Sequence, residues 1–456
     1  MSKLREEQIK DAVELFDIKE TDTISDEQAQ ISYQLYMGLY RKPDFLRGPD
    51  KIKPQNNFDL EPVSKDFFKN PERIIYLTRW VVKILPFIEL LSDVGNLPLQ
   101  RTGNDFVGFI DSTLKKYLLE VESIGSIIPE KYNVIRGSEL KNVKVLISQI
   151  LQSITEYLKG YPNEAFNILE DTIDKNLMSG RYLDNIMTIY DTTVERLYKM
   201  RVGTDNTYSS DEMFHIPFQL RGLVSTNRYS IPGLPCVYLG SSPLTCWEEL
   251  NKPDLNTVQT SLFIKKDASY LDLSTPPGAI IDILTCAHQK SGIYDSEMRD
   301  VYKDLASYVV VWPLMAACSI RVKNPKDTFK PEYIFPQLLL QWIRQSTFDG
   351  IRYFSTKVNK YTARNARLYR NYAFPVQSQE KEGQCLILKS KFDITSAVPW
   401  QMFQLYKDSQ YATPNEEAVV AELEFVDGLG MLYFASDFSR LETLLTYKYE
   451  KEQTND

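Results

Sequence analysis

The hydrophobic rhythm of this chain changes once, near residue 200, and that change limits what it can fold into. Up to about residue 195, apolar residues recur every three or four positions, the spacing that gives a helix one buried stripe. The clearest case is Leu140 to Leu158, where Val143, Leu146, Ile150, Ile154 and Leu158 share a face and Gly160-Tyr161-Pro162 ends the run. Asn70-Pro71-Glu72 predicts another helix start, because the asparagine side chain can cap free amides and proline suits the first turn. Further helices are expected from Asn163 and over Asp184 to Tyr198. Residues 1–60 open as a helix and become a proline-containing arm at Pro43, Pro49 and Pro54.

Beyond residue 200 short β-rich runs alternate with turns: Val237–Leu239, Gln259–Ile264, Tyr308–Trp312, Gly350–Phe354 and Cys385–Leu388. Helical stretches at Leu244–Leu250 and Glu332–Gln345 interrupt them. The expected fold class is α+β and multidomain: an α-helical N-terminal domain over 1–195, a mixed α/β domain over 196–445, and a frayed acidic tail over 446–456. A chain of 456 residues is long enough for more than one core.

The formal net charge of −8 opposes a broad nucleic-acid-binding face, so nucleic acid is disfavoured as a partner. Five cysteines are scattered without a CxxC pair, which fits reduced thiols and supports no metal site. The first residues lack the apolar core of a secretory signal, and the most apolar stretch, Trp80 to Leu91, is broken by Lys83, Pro86 and Glu89. That stretch is shorter than the roughly 20 residues a bilayer requires, so a cytoplasmic chain with no membrane partner is expected. No GxGxxG or P-loop pattern supports a Rossmann or Walker site.

Two segments concentrate residues able to do chemistry. Asn227 to Leu250 combines Arg228, a turn at Pro232-Gly233, a short strand, and a helix opened by Ser241-Ser242-Pro243 that carries Glu248 and Glu249. Tyr333 to Ser355 reads as a helix, a turn at Asp349-Gly350, and a strand that ends near Ser355; Asn371 follows on a further run. Taken singly, each has a plainer reading: Arg228 as a surface arginine, the glutamates as a solvated helix face, Tyr238 as strand core, Ser355 as a strand-end serine.

In order and texture the two segments resemble the signature blocks of the RES family. Arg228-Tyr229, Gly233, Val237-Tyr238 and Glu249 match the first block, with Tyr238 ten residues after Arg228 and Glu249 eleven after Tyr238. Asp349-Gly350-Ile351, Tyr353 and Ser355 match the second. An upstream element is approximate in Leu197-Tyr198-Lys199-Met200-Arg201, and the resemblance spans about residues 195 to 400. It implies an ADP-ribosyltransferase-like fold and use of NAD⁺ as substrate, by phosphorolysis, hydrolysis or transfer of ADP-ribose. It also implies a toxin or phage-defence effector restrained by an antitoxin or regulatory protein, with a non-catalytic nucleotide-sensing module as the alternative; the helical domain is the expected contact for such a partner or for a second copy.

The chemistry fits those residue types. Breaking the nicotinamide–ribose bond builds oxocarbenium character, which a carboxylate facing the ribose stabilises most in the transition state. Glu249 is assigned that role, and Arg228 anchors the diphosphate through its planar fork, assisted by Arg201 or Arg221. Tyr238 stacks on nicotinamide or orients the ribose, Tyr229 and Asn371 complete the binding set, and Ser355 orients the ribose or Glu249. Nothing in the sequence supplies a His–acid pair to make Ser355 a nucleophile; His215 and His288 are the two histidines.

Overall fold

The computed structural model describes residues 3–40, 64–185, 195–289, 295–414 and 421–455. Most of the proline-containing arm lies outside the described residues, as do the side chains of Cys286 and His288. The helix expected at Asn70 forms over Pro71–Lys83, with the Asn70 side-chain oxygen accepting from the Glu72 amide at 2.9 Å. Gly137–Leu158 also forms and buries Val143, Leu146, Ile150 and Ile154, although Leu158 on its last turn is exposed. Pro162–Thr172 follows, and Lys3–Glu14, Asp26–Tyr40, Leu85–Ser92 and Phe106–Ile127 complete the first helical set.

Four local expectations are corrected. Tyr308–Trp312 lies inside the helix Asp295–Cys318, not on a strand. All five of its residues are fully buried, so the run is apolar on every side and its periodicity carries no signal. Burial outweighs the roughly 0.5 kcal/mol by which each valine disfavours a helix. Cys385–Leu388 is likewise no strand: Leu386–Lys389 is a single helical turn capped by Cys385, with Leu386 and Ile387 turned to solvent. In place of a helix over Asp184 to Tyr198, Leu183–Asn185 is a short 3-10 turn, residues 186–194 lie outside the described residues, and Arg196–Val202 is a strand. The acidic end does not fray at 446, because the helix Asp437–Asn455 runs through it and buries Leu441 and Leu445.

The strands are β1 (Arg196–Val202), β2 (Cys236–Gly240), β3 (Val258–Lys265), β4 (Tyr270–Leu273), β5 (Gly350–Phe354), β6 (Arg370–Pro375), β7 (Phe392–Ile394) and β8 (Val398–Pro399). They form one mixed sheet in the order β4-β5-β6-β2-β1-β3-β7, with β8 also paired to β3. Among the described residues, β4 and β5 are the only pair of these strands that run parallel. A separate hairpin pairs β9 (Glu422–Val426) with β10 (Leu429–Leu432). The fold is α+β.

The pairing is uneven. β1 runs along β3 for its whole length, from Arg196 opposite Ile264 to Val202 opposite Val258, whereas it meets β2 at one register, Tyr198 opposite Gly240. Beyond that point β1 and β2 are free to part, and the sheet has a split at its centre.

The helical layer draws on both halves of the chain. Pro277–Gln289, Asp295–Cys318 and Ile334–Gln345 pack among the N-terminal helices in one continuous apolar cluster. Tyr117 stacks on Trp312 at 3.8 Å between ring centroids, and its hydroxyl donates to Val309 O at 3.0 Å. Trp312 Nε1 donates to Gly95 O at 2.7 Å, and Arg101 pairs with Glu332 at 3.1 Å with both side chains buried. No helix among the described residues is long and apolar enough to cross a membrane.

Candidate active site

The site begins where β2 becomes a helix. Gly240 ends the strand, and a side chain there would meet Cys246 Sγ at 2.8 Å, so the close strand-to-helix turn needs glycine. Ser242 caps the helix Pro243–Glu249 by accepting from the Thr245 amide, and its hydroxyl also donates to Leu368 O at 2.9 Å. Ser241 Oγ accepts from the Arg370 amide at 3.0 Å. The start of the helix is thereby tied to β6, and its last turn carries the two glutamates.

These two neighbours point to different partners. Glu248 pairs with Lys252 at 3.0 Å. Glu249 turns to the sheet, where Ser355 Oγ donates to its Oε1 at 2.5 Å and Asn371 Nδ2 donates to the same oxygen at 2.7 Å. Oε2 has no hydrogen-bond partner among the described residues. Asn371 lies on β6 opposite Tyr353 on one side and Gly240 on the other, and Ser355 follows β5 with its amide bonded to Tyr369 O at 2.8 Å. Ser355 Oγ also accepts from the Lys357 amide at 3.2 Å, so its hydroxyl is engaged both as donor and as acceptor.

Arg228 stands beside this group. Its Nη1 donates to Cys318 O at 3.1 Å, at the end of the helix Asp295–Cys318, and its Nη2 donates to Thr356 Oγ1 at 3.2 Å. The guanidinium lies 5.3 Å from the Tyr333 ring centre. Burial pushes the Tyr353 hydroxyl well above its ordinary pKa; Glu249 adds to the shift and Arg228 opposes it. Burial also raises Tyr333, opposed by Arg228 and reinforced by Glu249. Both tyrosines therefore feel the carboxylate and the guanidinium together.

The split in the sheet holds a cavity of about 760 Å³. Lys199 and Arg201 of β1 line one side, Cys236 and Tyr238 of β2 the other, and Asn227, next to Arg228, joins its wall. Lys199 Nζ donates to Phe214 O at 2.6 Å. Burial, with Arg201 nearby, lowers the Lys199 pKa to about 8. Arg201 lies 4.5 Å from the Tyr208 ring centre and donates to Glu212 O. Tyr238 donates its hydroxyl to Tyr229 O at 2.7 Å. Leu220, Leu223 and Leu386 also line the cavity and remain exposed.

Of the residues singled out in the sequence, Glu249, Ser355 and Asn371 meet directly, and Arg228 adjoins them through Thr356. Tyr238 and Arg201 face the cavity. Tyr229 is buried with its ring 4.3 Å from that of Tyr353, so it supports the site from behind. Arg221 packs over Phe218 and is not among the residues lining the cavity. His215 lines the cavity, where its Nε2 accepts from the Cys385 amide at 2.8 Å and burial lowers its pKa. Sequence reasoning missed Lys199, Tyr333, Thr356 and Lys357. Two of these directly follow Ser355, and Lys199 lies in the approximate upstream element.

The RES domain family matches residues 200–386, a stretch that contains Arg228, Tyr238, Glu249, Ser355 and Asn371 and begins one residue after Lys199. The chain is also 35% identical over 442 residues to "Putative toxin YopC" of Bacillus subtilis (strain 168), covering 94% of this chain and 95% of that protein. The chain belongs to the RES family. The RES match does not extend into the N-terminal helices, whereas the similarity to the Bacillus protein covers nearly the whole chain. No solved structure matches.

Proposed function

We propose that this RES protein cleaves NAD⁺ at the nicotinamide–ribose bond and passes the ADP-ribose to phosphate or water. The observation that carries this reading is the half-used carboxylate of Glu249: Oε1 is fixed by Ser355 and Asn371, while Oε2 is left for a ligand. A carboxylate held this way can bond the ribose hydroxyls and face the positive charge that grows as nicotinamide leaves. Its orientation is set before substrate arrives, so little reorganisation is needed during the reaction.

The remaining groups fit the rest of the substrate. Arg228 offers a planar donor beside Glu249 suited to a diphosphate, and Lys199 and Arg201 add cations in the neighbouring cavity, whose lining reaches Asn227. Tyr238 supplies an aromatic wall. A sheet split at its centre above a cleft also suits the ADP-ribosyltransferase-like fold. Ser355 is assigned to orienting Glu249, since its one donor hydrogen is already given to Glu249 Oε1. The name of the Bacillus relative, "Putative toxin YopC", agrees with an enzyme whose action depletes NAD⁺. In that setting the helical layer is assigned to an antitoxin or other regulatory protein, or to a second copy of the chain, with the protein acting in the cytoplasm.

The test is incubation of the purified protein with NAD⁺, with and without inorganic phosphate, while nicotinamide and the adenine-containing product are followed by chromatography. Release of nicotinamide with a phosphorylated ADP-ribose identifies phosphorolysis; free ADP-ribose identifies hydrolysis. An intact NAD⁺ pool under both conditions rejects the reading, and label from NAD⁺ retained on a macromolecule replaces it with transfer.

A further inference from the structure

Three consecutive residues follow β5, and each grips a different part of the site. Ser355 holds the Glu249 carboxylate, and Thr356 accepts from the Arg228 guanidinium. Lys357 reaches the backbone beneath the glutamate: its Nζ donates to Glu248 O at 3.1 Å, to Glu249 O at 3.0 Å and to Asn251 Oδ1 at 2.6 Å.

That position needs a donor. Glu249 is the last residue of its helix, where carbonyl groups lose their intrahelical amides. The Asn251 amide serves Glu248 O at 3.0 Å, but the residue four beyond Glu249 is Pro253, which has no amide hydrogen to offer. Lys357 is the donor to Glu249 O among the described residues. The chain then passes through two left-handed residues that are not glycine, Asn251 at φ 63° and Lys252 at φ 55°. Such a turn persists when its surroundings hold it, and the Lys357 bond to the Asn251 side chain does so from outside.

We propose that Lys357 is a positioning residue that fixes where the Glu249 carboxylate stands, and that the neighbouring Thr356 does the same for Arg228. The inference rests on the reading of Glu249 and Arg228 as the groups that act on NAD⁺. It means that one short loop sets the separation of the two working charges. Neither Thr356 nor Lys357 touches the reacting atoms. Because Lys357 acts through Glu249, whose contribution grows in the transition state, its loss should appear in kcat. Thr356 acts through the anchoring guanidinium, so its loss should appear in KM.

The experiment compares full-length wild type with Lys357→Met, Lys357→Arg and Thr356→Val, measuring nicotinamide release, ADP-ribose binding by calorimetry, and thermal midpoint. A displacement of the order of an ångström at a reacting group lowers rates by about a hundredfold. Lys357→Met should therefore lose about ten- to a hundredfold in kcat, with KM, ADP-ribose binding and midpoint as in wild type. Lys357→Arg, which keeps a cationic donor, should recover most of that loss. Thr356→Val should raise KM about fivefold and leave kcat near wild type. A Lys357→Met enzyme with wild-type kcat overturns the positioning role while leaving the proposed reaction intact. So does a loss that arginine does not restore or that follows a fall in midpoint. A wild type that releases no nicotinamide removes the proposed reaction, and this inference with it.

Discussion

In the helical layer, buried polar side chains complete bonds that the fold itself requires: Tyr117 reaches Val309 O, Trp312 reaches Gly95 O, and Arg101 meets Glu332. Around the split in the sheet, polar side chains gather instead on one oxygen of Glu249 and leave the other open. Both regions bury polar groups, at a similar cost in lost hydration. In the first the groups satisfy one another, whereas in the second one carboxylate oxygen has no hydrogen-bond partner among the described residues. The two regions meet at Arg228, which reaches the carbonyl of Cys318 at the end of a helix whose body lies in the helical layer. Tyr333, below that guanidinium, follows the Glu332 held by Arg101.

If the comparison is sound, substitutions in the two regions should fail in different assays. The largest effect is expected from Glu249→Gln, which keeps the shape but removes the charge: nicotinamide release should fall about a thousandfold, with the thermal midpoint unchanged. Wild-type turnover in a folded Glu249→Gln protein would break the contrast at its strongest point. Arg101→Met should do the reverse. It leaves Glu332 buried without its cation, so stability should drop by about 3 kcal/mol in denaturant titration, and the residual folded fraction should bind ADP-ribose normally.

A third test concerns Glu442 on the helix Asp437–Asn455, where Tyr433 donates to it at 2.6 Å. Burial raises its pKa to about 8 from an ordinary value of 4.5. Between those values the folded chain holds a proton that the unfolded chain has released, so this residue makes the protein progressively less stable as pH rises from about 5 to 8. Glu442→Gln should remove that slope. Its midpoint should match wild type near pH 5 and exceed it increasingly toward pH 8; parallel curves would show that the group is not buried as a neutral acid. The smallest effect is expected at Lys199. Its lowered pKa of about 8 means that the charge is present below that pH and is lost above it. KM for NAD⁺ should therefore rise as pH passes through 8 in wild type. In Lys199→Met it should be about tenfold higher at neutral pH and show no such rise.

Much of this was legible in the sequence because it depends on neighbours along the chain. The cap at Asn70, the stripe from Val143 to Ile154, the turn at Gly233, the helix opened by Ser242 and the strands β2, β3 and β5 all rest on local spacing or on one residue's backbone preference. The order of Arg228, Tyr238, Glu249 and Ser355 was enough to name a family. Spacing alone could not say which glutamate faces the sheet with certainty, since adjacent helical residues differ by about 100° and the choice depends on what lies opposite.

Tertiary structure decided the rest. Tyr308 to Trp312 became a helix because it is enclosed on every side, a condition under which helix and strand look alike in sequence. Arg196 to Val202 became a strand because β3 offers it seven matched positions, from Arg196 opposite Ile264 to Val202 opposite Val258. The partners of Glu249 come from β6 and from the loop after β5, more than a hundred positions away, and only the antiparallel pairing of β2, β6 and β5 makes them neighbours. Local preference reports the backbone a residue favours. Which side chains share a buried oxygen is settled by the sheet order, because hydrogen bonds act over about 3 Å and take no account of distance along the chain.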